Sequence, residues 1–174
     1  MIASRSIPFI LSGLAFAWAL PLSAQTLAQG AVEMKKFGDW VVHQNSGSGP
    51  KICFAATVPK TKEPAGANRA KIVLYISAWP KDGVKSEISI KLGYPIKPDS
   101  AIAVTVGDDS FELFAQDDRA YVADATQELK MIEAMRKGSK LVVKATSTRG
   151  TQTTDTYSLQ GLGQALDAVA TACP

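Results

Sequence analysis

Histidine is almost missing from this chain: His43 stands alone among 174 residues. A Ser-His-Asp hydrolase would need that imidazole beside its serine. The hydroxyl-rich stretch from Ser147 to Leu166, "STRGTQTTDTYSLQGLGQAL", has no glycine two residues before Ser158 to build a nucleophile elbow. Cysteine is equally scarce, at Cys53 and Cys173 only. Two cysteines and a remote histidine fall short of a four-ligand zinc site and leave a catalytic thiolate without its base. No charge of either sign dominates: 19 Lys and Arg face 16 Asp and Glu, a formal net charge of +3. That excludes the basic stripe of a nucleic-acid binder. "GSGPK" lacks the spacing and the following helix of a phosphate loop, and no acidic run alternates as in a calcium-binding EF-hand. The adjacent pairs Asp108-Asp109 and Asp117-Asp118 sit where aspartate favours turns, not where glycoside hydrolysis would set two facing carboxylates. Neither a repeat nor a low-complexity segment is visible. The expectation is no catalytic residue, no cofactor and no metal.

What is present begins with a leader. Arg5 precedes an apolar run from Ile7 to Leu22, and the small residues Ser23 and Ala24 follow. A basic start, an apolar middle and a small-residue end predict a secretory signal peptide over residues 1–24. Pro8, Gly13 and Pro21 interrupt the run, which therefore falls short of the roughly 20 clean apolar residues of a membrane span. With no cysteine near the cleavage point, a lipoprotein anchor is not expected either. Residues 25–174 then form one domain, a length that supports a full hydrophobic core. An exported chain meets an oxidising compartment, so Cys53 and Cys173 are expected to form a disulfide. Closing so long a loop contributes about 4–5 kcal/mol in the chain-entropy model.

The remaining residues alternate as strands do. "KFGDWVVH" and "ICFAATVP" read as a hairpin around "QNSGSGPK", while "KTKEPAGANR" reads as a loop. "AKIVLYISAWP" sets Ile72, Leu74, Ile76 and Ala78 on one face and is apolar on both, as a central strand is. "SEISIKLGY" alternates clearly, "AIAVTVGDDSFELFA" is two strands about a Gly107-Asp108-Asp109 turn, and "RAYVA" is a short strand. The period then becomes helical. Asp124 and Gln127 stand in capping-box spacing, with Thr126 an alternative cap, Leu129, Ile132 and Met135 follow, and Gly138 ends the run. "KLVVKATST" and "TQTTDTYSL" return to strand about an Arg149-Gly150 turn, the second with the threonine-rich look of a solvated sheet surface. A C-terminal helix sets Leu162, Ala165, Leu166, Val169 and Cys173 on one stripe. The predicted fold is mostly β, an antiparallel β-sandwich or barrel-like domain of about eight or nine strands with two short helices.

Binding residues are harder to single out. Trp40, Trp79 and Tyr94 lie near strand ends and Arg149 at a turn. Trp, Tyr and Arg are over-represented at recognition surfaces, so these four are the candidates; core and edge packing is the alternative for the aromatics. Arg136, Lys137, Lys140 and Lys144 form a basic cluster that reads as a solvated face or as an anion or lipid-headgroup patch.

"KFGDWVV", "KICFA", "EISIKLGYPI", "AMRKGSKLVVKATSTRGTQTTDTYSLQGLGQAL" and the terminal Cys173 resemble the invasion-associated locus B (IalB) family of alphaproteobacteria, over nearly all of residues 25–174. The resemblance implies an exported cell-envelope protein, periplasmic or outer-membrane associated, which in pathogenic members is linked to host-cell entry. It implies no enzymatic activity, cofactor or catalytic residue. Some relatives carry further cysteines near the position of Trp40; none stands there in this chain. The expected function is non-enzymatic binding of a protein or envelope component, with peripheral outer-membrane association. The alternative is a periplasmic inhibitor or chaperone-like binder of an envelope enzyme.

Overall fold

The computed structural model describes residues 30–45 and 47–174; the predicted signal peptide, residues 1–24, lies outside them. In chain order the elements are β1 (Ala31–Phe37), β2 (Trp40–Asn45), β3 (Cys53–Thr57), β4 (Thr61–Glu63), β5 (Val73–Trp79), a 3-10 turn (Pro80–Asp82), β6 (Val84–Lys91), β7 (Ile102–Val106), β8 (Asp109–Gln116), β9 (Arg119–Tyr121), α1 (Ala125–Lys137), β10 (Lys140–Thr146), β11 (Gln152–Ser158) and α2 (Leu162–Ala172). All strands join one antiparallel sheet in the order β1-β2-β3-β5-β6-β9-β8-β7-β10-β11-β4.

That order requires the sheet to roll. β3 lies third from one end and β4 at the other, yet only Val58, Pro59 and Lys60 separate them. Four Cα steps span at most about 14 Å, so the two ends must approach. Trp40 Nε1 donates to Ser158 O at 3.1 Å and the Asp39 amide donates to Gln160 O at 3.1 Å, tying the β1–β2 turn to the end of β11. β1 and β4 do not pair with each other, so the roll is barrel-like but not closed. Inside it, period-two alternation turns Leu74, Ile76, Ile88, Ile90, Ile102, Val104, Leu141 and Val143 into one core.

The sheet has more strands than the alternation predicts, for two local reasons. Gly38, at φ +54°, breaks the first apolar run into the β1–β2 hairpin. β4 falls in the stretch predicted as a loop: its three residues are exposed and pair with Thr154–Thr156 through backbone alone, so no apolar pattern marks them.

α2 buries Leu162, Ala165, Leu166 and Val169, the stripe expected from spacing. Its docking brings Cys173 to Cys53 on β3 as a disulfide, with a Cα–Cα distance of 5.9 Å. Gly161 enters the helix at φ +89°, and a Cβ there would stand 2.2 Å from Phe37 O. α1 is capped by Asp124, whose carboxylate accepts the Thr126 and Gln127 amides at 2.9 Å. Its buried face differs from the expected Leu129-Ile132-Met135 stripe. Met131, Ala134 and Met135 are buried, Ile132 is partly buried, and Leu129 is 60% exposed. The helix is rotated because Glu128 turns toward the sheet, where its carboxylate accepts the Ile88 amide at 2.6 Å.

Candidate functional site: a cleft beside the Arg69–Asp155 pair

The threonines of β11 predict a solvated, hydroxyl-rich face. The strand's alternation instead turns Thr153, Asp155 and Tyr157 inward, with Leu159 following, and Asp155 is 0% exposed. A buried carboxylate requires a partner and further hydrogen bonds. Arg69, from the segment between β4 and β5, supplies both. Its Nη1 donates to Asp155 Oδ1 at 2.7 Å and its Nη2 to Oδ2 at 2.5 Å, a bidentate fork. Nε and Nη2 also donate to Leu92 O at 3.1 and 2.8 Å. The Arg69 side chain keeps only 6% of its surface exposed.

The guanidinium lies 5.0 Å from the centre of the Tyr94 ring, a cation–π contact. Tyr94 Oη and Thr153 Oγ1 share a hydrogen bond at 2.5 Å. Burial raises the Tyr94 pKa, and the bond to Thr153 partly offsets the rise. Burial also raises that of Tyr157 strongly, reinforced by the negative charge of Asp155. Both phenols therefore hold their protons more tightly than a free tyrosine does.

Above this network lies a cleft of about 450 Å³. One wall is the 64–69 segment; the other is the β10–β11 turn with Ser147, Arg149 and Thr151; Tyr94 and Thr153 lie at the floor. The turn is braced by Gly150 N to Ser147 O at 2.8 Å, Thr151 N to Ser147 Oγ at 3.1 Å and Thr148 N to Pro95 O at 3.0 Å. Among the described residues no carboxylate lines this cleft. The larger groove between α1 and the β7–β8 turn, about 690 Å³, is lined by Asp108, Asp109 and Glu133 as well as lysines.

Of the four sequence candidates, Tyr94 and Arg149 meet in this cleft, Tyr94 almost buried and Arg149 exposed. Trp40 is a correction: it is 0% exposed and holds Ser158 O, so it packs the core and presents nothing to a partner. Trp79 is half-buried beside the Pro80 turn and does not line the cleft. Arg69 and Asp155 are site residues that residue type and position near strand ends do not single out. The available signal was register: Asp155 shares its face with Tyr157 and Leu159.

The hydrolase constellation does not assemble. His43 stacks on Phe54 with ring centres 5.0 Å apart, Ser158 Oγ accepts the Gln160 amide at 3.2 Å, and Asp155 is held by Arg69. Among the described residues no group of three or more His, Cys, Asp and Glu side chains is arranged to hold a metal. Within the basic cluster, Arg136 pairs with Asp167 at 2.9 Å. No helix of the described residues is long and apolar enough to cross a membrane.

The fold has a solved counterpart. The crystal structure of invasion associated protein b from Bartonella henselae superposes with a TM-score of 0.58 at 18% identity, covering 79% of this chain and 95% of that one. No curated protein sequence is significantly similar to this chain. Residues 40–170, from the buried Trp40 to the last full turn of α2, match the sequence profile described as Invasion associated locus B (IalB) protein, and the chain belongs to that family.

Proposed function

We propose that this protein is an exported, non-enzymatic component of the cell envelope that acts by binding, and that the cleft beside Arg69 and Asp155 is where it binds. The observation that carries the reading is the cleft's construction. A bidentate buried ion pair fixes the floor, and the walls offer hydrogen-bond donors without any carboxylate or histidine to act as acid or base. Export is supported by the leader-like residues 1–24 and by a disulfide of the kind that persists in oxidising compartments. The solved neighbour is named for invasion, and a contribution to host-cell entry is the corresponding role for this chain in a pathogen. The partner is then an envelope or host surface component, with peripheral outer-membrane association.

Protease shaving of intact cells beside a periplasmic marker tests the location. Clipping of this protein while the marker survives supports direct contact with another cell. Protection of both restricts the binding role to the periplasm, and recovery only with cytoplasmic markers contradicts export.

A further inference from the structure

The charge and hydrogen-bonding character of the cleft narrows what it can hold. Asp155 is fully buried and answered by Arg69, so the pair contributes little net charge to the opening. Arg149, exposed on the rim, has no acidic partner among the described residues. It is therefore the uncompensated charge of the site. A guanidinium fork matches a planar carboxylate or a phosphate, where it donates two parallel hydrogen bonds.

Beside it stand neutral groups suited to hydroxyls: the Asn68 amide and the Thr151 side chain on the walls, with one Nη1 hydrogen of Arg69 left after four of its five donors are committed. Ala65, Gly66 and Ala67 add a small apolar wall without bulky side chains. A volume of about 450 Å³ lies at the lower end of small-molecule sites, the size of one or two sugar rings. The floor is already tied by the Arg69–Asp155 fork and the Tyr94–Thr153 bond, and a preorganised floor lowers the ordering cost of binding.

We propose that the cleft binds an anionic sugar, a uronate or sugar phosphate of a surface polysaccharide, with Arg149 as the anion-recognising residue. The proposal rests on the reading of this cleft as the binding site, and the test separates the two. The folded, disulfide-bonded protein is titrated with glucuronate, glucose 6-phosphate, glucose and inorganic phosphate while the amide spectrum is followed by NMR.

The expected result is saturable shifts confined to residues 65–69 and 147–151 with glucuronate, glucose 6-phosphate or both. These weaken as salt is raised, and glucose and inorganic phosphate give no comparable shift. Which acid binds more tightly distinguishes a carboxylated from a phosphorylated source. Arg149→Glu is expected to weaken binding about tenfold or more, the loss of a charge-assisted contact, with an unchanged melting temperature because the side chain is exposed. Arg149→Lys should recover part of it.

Glucose shifting the same residues as strongly as glucuronate would overturn the anionic assignment and leave the cleft as a binding site. Equal binding of inorganic phosphate would overturn the sugar assignment. Silence of these residues to all four probes would overturn both the ligand class and the cleft.

Discussion

At the scale of single residues, Asp155 and Arg69 decide most. A buried pair of this kind is costly to break because the surviving charge stays buried without compensation. Arg69→Ala is expected to lose about 3–5 kcal/mol in urea unfolding. The double variant Arg69→Met with Asp155→Leu should lose less than Arg69→Ala alone, the coupling that two residues in one network show. A double variant as unstable as the single would show that the two side chains do not answer each other.

Glu128 gives a pH signature. Burial raises its pKa above the ordinary carboxylate value, the Ile88 amide opposes the rise and the charge of Glu87 adds to it. A carboxyl with a raised folded-state pKa favours the fold while protonated, and that contribution is lost as pH rises through the folded value. Glu128→Gln keeps an acceptor for Ile88 and cannot ionise. It should therefore be more stable than the parent at neutral pH, with the gain vanishing at a pH below the ordinary carboxylate range. Unfolding curves at the two pH values check this. None of this is legible from residue type alone, since Asp155 stands among threonines that usually face water; only its shared register with Tyr157 and Leu159 hints at burial.

Among the elements, α2 follows from its sequence and α1 only in part. The α2 stripe is apolar at each position that packs inward, so spacing alone identifies the face. α1 offers apolar residues on two sides, and the choice between them depends on Glu128 reaching Ile88, a contact across 40 residues that no local pattern encodes. Met131→Ala should cost about 2–5 kcal/mol, the range for emptying a filled core position. Leu129→Ser should stay within about 0.5 kcal/mol, as exposed positions do. Equal losses would place Leu129 in the core and contradict the helix orientation. β4 escapes sequence reading for a related reason: its pairing is carried by backbone groups, and its side chains are exposed. At the entry to α2, Gly161→Ala would need both a left-handed backbone and space that Phe37 O already fills. It should lower the melting temperature by more than Asp124→Ala, which forfeits only a cap worth about 1 kcal/mol.

Across the whole molecule, the mostly β class is evident from alternation, because each inward strand position must be apolar or specifically paired. Alternation leaves a sandwich and a barrel-like roll both open, and the choice of the roll depends on β3 and β4 lying at opposite parts of the strand order while adjacent in the chain. The disulfide locks α2 to β3 across 120 residues. Replacing Cys53 and Cys173 with serine should cost about 2–5 kcal/mol, the usual range for a small disulfide-bonded domain. Intact mass after alkylation, measured on protein taken from the cells that make it, checks export and the disulfide together. The expected mass is that of residues 25–174, with neither cysteine alkylated until a reductant is added. A chain still beginning at Met1, with Cys53 and Cys173 alkylated without reduction, would contradict it.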